Sequence, residues 1–198
     1  MTGDSPFPLI DAALRGALIA LLALLAASFW RDRRLLPAAR VGCLLALGLC
    51  DYAITTAPGF TSGLPLAVRV PMMAISNGNP VLFWLFARVL LDDDFRLGRG
   101  PLAGGRAGGT KGAAGVWAAW AAWGVLALLG VLGCGLPPGA LRTTLGPVIS
   151  LVLGISPLVF GGLVIVATLR QWRGDLVEQR RRLRAFIVIG GTAYLLAS

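Results

Sequence analysis

The fold is decided by residues 9–30, which read LIDAALRGALIALLALLAASFW. Asp11 and Arg15 are the only charged residues in this stretch of 22. An apolar stretch of about 18 or more residues is long enough to cross a bilayer as a helix. It is too long for the apolar part of a cleavable signal, and no basic segment precedes it. Residues 9–30 therefore predict a retained first transmembrane helix.

The rest of the chain contains further apolar windows of the same kind. Four of them lie at residues 41–57, 70–91, 113–136 and 145–169. A last window, residues 185–198, has only 14 residues and would reach about 21 Å of the roughly 30 Å hydrocarbon core. The predicted fold class is all-α: a polytopic transmembrane helix bundle with five full spans plus a truncated sixth, in a single domain over residues 1–198.

Composition agrees with a membrane protein. Of the 198 residues, 57% are hydrophobic and 14% are charged, whereas soluble domains carry roughly 25% charged residues. The lipid bilayer is therefore the first expected partner. We expect a multi-pass membrane protein.

The basic residues predict the orientation. Fifteen of the eighteen arginines and lysines lie in the first, third and fifth connections between windows, counting Arg88 at the end of the third window, and the other three are Arg15, Arg69 and Arg142. Cytoplasmic loops are enriched in arginine and lysine, so these connections should be cytoplasmic and the N-terminus outside. The same bias explains the net charge of +9 without a nucleic-acid surface, and we expect no nucleic acid to bind through this chain alone.

Two cytoplasmic stretches have distinctive compositions. Residues 98–115 are mostly glycine, alanine and arginine, which predicts a flexible linker. Residues 170–184 read RQWRGDLVEQRRRLR, a basic loop whose spacing also fits a short amphipathic helix on an anionic membrane surface. The alternative is a loop that only fixes orientation. Candidate surface or signal-relay residues are Trp172, Arg180, Arg181, Arg182 and Arg184.

Polar side chains inside the windows predict a site. Asp51, beside Tyr52, lies near the middle of the second window, and a carboxyl group at that depth needs a partner or a proton. Asn77 and Asn79 lie just before a bend expected at Pro80 in the third window. We hypothesise a ligand-binding cavity formed by Asp51, Tyr52, Asn77 and Asn79, with Arg69 at its outer rim. The alternative is hydrogen bonding that only joins helices.

Candidate catalytic and metal-binding residues are few. The chain has no histidine, and its three cysteines, Cys43, Cys50 and Cys134, form no closely spaced pair. Residues 92–94 are three aspartates at the cytoplasmic end of a window, typical of a solvated helix end. No nucleophile–base pair is evident. We therefore expect no enzyme activity, no cofactor and no metal site. Asp11 and Arg15, four residues apart, should form an ion pair on one helix face.

Three segments resemble a known family. They are RDRRLLPAARVGCLLALGLCDYAITTAPGF at residues 31–60, GNPVLFWLFARVLLDDDFRL at 78–97 and RGDLVEQRRRLRAFIVIG at 173–190. Together they resemble the membrane-embedded N-terminal region of bacterial AraC-type transcriptional regulators. Those proteins place transmembrane helices before a cytoplasmic helix-turn-helix DNA-binding domain, and no stretch of this chain is long enough to be such a domain.

The resemblance implies a transmembrane sensor or signalling domain in a bacterial inner membrane. A small-molecule ligand or a membrane state would shift helix packing around Pro80, and the basic loop after Arg170 would relay the change. Such a chain would be the sensor half alone, either part of a longer regulator or a degenerate stand-alone copy. A homo-oligomer is a further expected partner. The alternative function is a small transporter or channel that uses Asp51, Asn77 and Asn79 as a polar path.

Overall fold

The computed structural model describes residues 7–34, 36–91, 110–135 and 139–172, and every regular element in these ranges is a helix. The predicted all-α class is therefore confirmed for the part of the chain that the structure describes. The helices are α1 (Phe7–Asp32), α2 (Pro37–Thr55), α3 (Phe60–Gly63), α4 (Leu66–Asn77), α5 (Asn79–Leu91), α6 (Thr110–Gly135) and α7 (Ala140–Trp172).

Four helices are long and apolar enough to cross a membrane. They contain the candidate spans Leu9–Asp32, Ala38–Thr55, Gly115–Gly135 and Thr143–Leu169. These spans correspond to four of the five predicted windows. By length and composition, the chain is a membrane protein.

The third window, residues 70–91, lies in two shorter helices. α4 ends at Asn77 and α5 begins at Asn79, so the break falls at Gly78, two residues before the predicted bend at Pro80. Proline has no backbone N–H and cannot donate to the carbonyl four residues earlier, at Ser76. At the break, the amide of Gly78 donates to the carbonyl of Ile75, three residues earlier, at 3.1 Å. With 12 and 13 residues, neither half crosses a bilayer alone.

α1 and α2 form an antiparallel hairpin. The Phe29 ring, late in α1, lies against Gly42, early in α2, where a Cβ would approach the ring to 2.8 Å. At the other end Arg15 of α1 reaches Thr56, just after α2, at 2.9 Å. α1 packs mainly on α2 and leaves most of its apolar surface open; Leu21, for example, is 66% exposed. That surface suits contact with lipid tails.

α5 lies at the centre of the bundle. It contacts α2, α6 and α7, whereas α4 contacts α2 and α6. On α5, Val81, Leu85 and Ala87 are each 1% exposed. The main hydrophobic core joins Val81 and Leu85 to Val41 of α2 and Val116 of α6. Three of the long helices, α2, α6 and α7, therefore pack around the broken segment.

The helix directions bring most basic residues to one end. α5 and α7 are parallel, because Trp84 meets Phe160 at 6.4 Å between ring centroids and Ala87 packs on Val164. The ends of α1, α5 and α7 therefore lie together with the starts of α2 and α6. We call this the arginine end; its described basic residues are Arg31, Arg33, Arg34, Arg40, Arg88, Lys111 and Arg170. The opposite end carries Arg15, Arg69 and Arg142.

Several predictions fall partly or wholly outside the described residues. Of the predicted linker at 98–115, residues 110–115 belong to α6, and 98–109 lie outside. Of the predicted basic loop at 170–184, residues 170–172 belong to α7, which ends at Trp172. The acidic run at 92–94 and the window at 185–198 also lie outside, as do the relay candidates Arg180, Arg181, Arg182 and Arg184.

Candidate functional site

Asp51 lies in a chain of hydroxyl groups between α2 and α4. Ser76 donates a hydrogen bond to Asp51 Oδ2 at 2.8 Å, and the Ser76 and Thr55 hydroxyl oxygens are 2.9 Å apart. Thr55 in turn lies 3.1 Å from the carbonyl oxygen of Tyr52. Both hydroxyl side chains are buried, Ser76 at 7% exposure and Thr55 at 8%. The carboxyl group predicted to need a partner therefore has one.

The number of hydroxyl protons limits how many of these hydrogen bonds can form at once. Each hydroxyl has one proton to donate. If Ser76 donates to Asp51, Thr55 must donate across the 2.9 Å contact and cannot also satisfy the Tyr52 carbonyl. Thr56 supplies donors to that carbonyl, its hydroxyl at 2.8 Å and its amide at 3.0 Å.

Asn79 joins the break to α2. Its Nδ2 donates to the Gly48 carbonyl oxygen at 2.8 Å, and the residue is 2% exposed. A Cβ on Gly48 would overlap Asn79 Oδ1, so the amide fits only because position 48 has no side chain. Small residues commonly allow such close approach between membrane helices. Asn79 therefore fixes the first turn of α5 against α2.

Asn77 points to a different neighbour. Its amide lies against Gly130 of α6, where a Cβ would overlap Nδ2. There it borders a cavity of about 370 Å³ between α4, α6 and α7. Ser150 and Cys134 supply the other polar groups of this outer cavity. Its lining is formed by Met73, Asn77, Gly130, Gly133, Cys134, Gly146, Pro147, Ile149, Ser150 and Leu153.

The five residues predicted as one site are therefore divided between several places. Residues two apart on a helix do not share a face, so Asn77 and Asn79 meet different helices. Asp51 and Asn79 lie where α2 meets α4 and α5, whereas Asn77 borders the outer cavity. Tyr52 is 36% exposed. Arg69 lies part-buried in α4, toward the end of the bundle opposite the arginine end.

The break separates the two polar regions. Gly78 lies between Asn77 and Asn79, and a Cβ on Gly78 would overlap the indole of Trp123 in α6. In the described part of the chain, the buried Nε1 atoms of Trp120 and Trp123 have no hydrogen-bond partner. The break is thus held by close contact with α6 rather than by a hydrogen bond from either indole.

The ion pair predicted between Asp11 and Arg15 is confirmed at 2.8 Å. The structure adds a second role, because Arg15 Nη1 also donates to the Ala53 carbonyl at 3.2 Å and to the Thr56 hydroxyl at 2.9 Å. Positive groups are favourable at helix C-termini, where carbonyls lack partners. Arg15 therefore caps α2 from the neighbouring helix.

Sequence reasoning missed Gly48, Thr55 and Ser76. Their signal is spacing: Gly48, Asp51 and Thr55 recur every three or four residues and so share one face of α2, while Ser76 and Asn79 are three apart on the facing segment. Those two stripes meet in the structure. Within the described residues, no group of three His, Cys, Asp or Glu side chains is placed to hold a metal ion.

No protein-family model, curated protein or solved structure matches this chain.

Proposed function

We propose that this chain is the signal-sensing membrane domain of a bacterial regulator, related to the membrane region of AraC-type regulators. The observation that carries the proposal is the position of the outer cavity. It lies beside Asn77, the last residue of α4, and the helix breaks at the next residue. A molecule bound in the outer cavity would contact α4, which lies on one side of the break in the central segment.

The membrane placement proposed has five spans, with α4 and α5 together as the third. Residues 66–91 extend about 39 Å if helical, enough for a roughly 30 Å hydrocarbon core. The arginine end is cytoplasmic and the N-terminus is outside, because basic residues concentrate on the cytoplasmic side. The alternating helix directions support this placement, since they gather basic residues from three separate segments at one end.

The two halves of the third span have different surroundings. α5 is fixed by its buried side chains and by the bond from Asn79 to Gly48. α4 borders the outer cavity through Met73 and Asn77. A ligand that prefers one angle between α4 and α5 shifts the population toward that angle, by as much as its affinities for the two states differ. The signal then passes through α5 and α7 to the cytoplasmic end.

The chemistry of the outer cavity indicates the ligand class. Its walls are mainly apolar or glycine, with an amide from Asn77, a hydroxyl from Ser150 and a thiol from Cys134. None of its described lining residues is charged. Its volume of about 370 Å³ lies at the lower end of the range of small-molecule sites, roughly 300–1,000 Å³. We propose a small uncharged amphiphile with a hydrogen-bonding group.

A cavity-filling substitution tests the proposal. Ser150→Trp places an indole in the outer cavity, while Val148→Trp, two residues away and 56% exposed, adds the same group outside the lining. Spin labels at Leu66→Cys and Leu90→Cys, with the native cysteines replaced by alanine, report the α4–α5 distance. We expect Ser150→Trp to shift the distance distribution and Val148→Trp to leave it unchanged. An unchanged distribution in both variants contradicts coupling between the cavity and the break.

The alternative, a small transporter or channel, predicts a different result. Reconstituted vesicles would then leak protons or a small solute, and Asp51→Asn would abolish the leak. We expect no such leak, because Asn79 is packed tightly against Gly48 and closes the α2 side of the break. We also propose that the chain is not an enzyme.

A further inference from the structure

A second cavity lies at the arginine end, between α1 and the start of α2. It has a volume of about 280 Å³. Arg33, Arg34 and Arg40 form its polar side, and no acidic side chain is among its described lining residues. We call it the arginine cleft. It is separate from the outer cavity, which lies between α4, α6 and α7 near the opposite end.

The α2 wall of the arginine cleft changes from basic to apolar along one helix face. Arg40, Cys43, Leu44 and Leu47 are spaced at i, i+3, i+4 and i+7, so they form a single stripe. Arg40 lies in the first turn, and the leucines lie deeper toward the middle of the span. Leu47 is 52% exposed, so the apolar part of the wall opens toward the surroundings of the bundle.

Two of the three arginines of the arginine cleft, Arg33 and Arg40, are held by contacts within the protein. The Arg33 guanidinium lies 3.4 Å from the centroid of the Trp30 ring and donates to the Trp30 carbonyl at 2.8 Å. Arg40 Nε donates to the Arg33 carbonyl at 2.8 Å, which joins the start of α2 to the end of α1. Arg34 is exposed beside them. Fixed cations lose less conformational entropy when they bind an anion.

The start of α2 adds to the positive field. Leu36 is the N-cap residue and makes no side-chain capping bond, and Pro37 begins the helix. Helix N-termini carry a partial positive charge and favour anions. The three arginines and the start of α2 therefore present positive charge at the same place, directly above an apolar stripe.

We propose that the arginine cleft binds one anionic phospholipid, with its phosphate between Arg34 and Arg40 and one acyl chain along Leu44 and Leu47. The inference rests on the membrane placement proposed above, in which this end lies at the cytoplasmic interface. A lipid fits better than a free phosphate ion, because the apolar stripe continues from the basic groups down the span. Trp30, 58% exposed, suits the interface depth of the headgroup.

Lipid titration followed by native mass spectrometry tests this proposal. The purified full chain in neutral detergent is titrated with phosphatidylglycerol and, separately, with phosphatidylcholine. We expect one phosphatidylglycerol to bind in preference to phosphatidylcholine. Arg34→Gln and Arg40→Gln should each weaken this binding about fivefold, which corresponds to about 1 kcal/mol per basic residue near an anionic surface. Arg40→Gln also removes the hydrogen bond from Arg40 to the Arg33 carbonyl, whereas Arg34→Gln leaves that bond in place.

Arg31→Gln is the matched control. Arg31 lies on the same turn, is 85% exposed at its side chain, lies 3.7 Å from Asp32 and does not line the arginine cleft. It should leave phosphatidylglycerol binding unchanged. An equal loss in Arg31→Gln and Arg34→Gln would mean general attraction to surface charge and would overturn the proposal.

A second comparison separates lipid from phosphate. Glycerol phosphate, which has no acyl chain, should not displace phosphatidylglycerol, and Leu47→Gln should weaken phosphatidylglycerol binding. Displacement by glycerol phosphate together with an unaffected Leu47→Gln variant would assign the arginine cleft to free anions and contradict the lipid. The assay needs neither the sensed ligand nor movement at Gly78, so its outcome is independent of the sensing experiment.

Discussion

At the scale of single residues, Gly48 shows how an absent side chain determines a polar contact. The Asn79 amide occupies the space that a Cβ would fill and donates to the Gly48 carbonyl at 2.8 Å. We predict that Gly48→Ala destabilises the folded protein by about 1–3 kcal/mol, since a buried amide would lose its partner. Gly124→Ala is the control, because its added Cβ meets no other helix within 4 Å in the described part of the chain. Thermal unfolding in detergent measures both; equal melting temperatures would contradict the contact.

A second residue-scale prediction concerns the hydroxyl chain. Ser76→Ala removes the group that contacts both Asp51 and Thr55, and we expect a loss of about 1–2 kcal/mol. Asp51→Asn retains an acceptor oxygen for Ser76, so it should insert normally and lose less stability. Chemical unfolding in detergent compares the two variants. If Asp51→Asn is the more damaging, hydrogen bonding to Ser76 is not the main role of the carboxyl group.

The candidate site was predictable from sequence only in part. Charged and amide groups inside apolar windows identify Asp51, Asn77 and Asn79, because such groups must find partners in a membrane. Their partners were not predictable, since these are a serine, a backbone carbonyl and a glycine gap, which also occur commonly elsewhere in helices. Facing stripes at three- and four-residue spacing would have indicated that Asn79, but not Asn77, meets α2.

At the scale of helices, the break between α4 and α5 depends on Pro80. Pro80→Ala restores an amide that can donate to the Ser76 carbonyl, so α4 and α5 should join into one straighter helix. We predict a narrower distribution of distances between spin labels at residues 66 and 90. Pro157→Ala, within α7, should leave that distribution unchanged. A distribution unaffected by Pro80→Ala would assign the break to packing of Gly78 against Trp123 alone.

The packing of α6 on α7 can be tested by cross-linking. A Cβ on Gly133 would lie 3.4 Å from Ile149 Cγ2, so cysteines at these positions should form a disulfide under mild oxidation. The native cysteines are first replaced by alanine. The control pair combines Ile149→Cys with Gly124→Cys, which has open space around it and should not cross-link. Mobility on a non-reducing gel reads out both pairs, and a bond in the control alone would overturn the helix register.

At the scale of the whole molecule, orientation in the membrane is the main prediction. A membrane-impermeant maleimide added to intact spheroplasts should label Gly139→Cys but not Leu36→Cys, in a background without native cysteines. Both residues are exposed and lie at opposite ends of the bundle. Permeabilised cells should label both positions. Labelling of Leu36→Cys alone in intact spheroplasts would place the arginine end outside and reverse the proposed topology.

The architecture was predictable where hydropathy is continuous. Four predicted windows correspond to single helices long enough to span, because length and apolar composition are sufficient to define such helices. In the third window Pro80 predicted a bend, but the helix breaks two residues earlier, at Gly78, and hydropathy alone does not report such a break. Sequence also did not predict that α5 lies at the centre, because apolar helices look alike whether they face lipid or protein.

The cap that Arg15 places on α2 has a consequence for biogenesis. During synthesis α1 leaves the ribosome first, and until α2 follows, Arg15 has only the Asp11 carboxylate four residues away to offset its charge. The carbonyl of Ala53 and the hydroxyl of Thr56 become available only when the second segment arrives. We therefore expect the two segments to leave the insertion machinery as a pair, with the first held near the protein-conducting channel until its partner completes the contact.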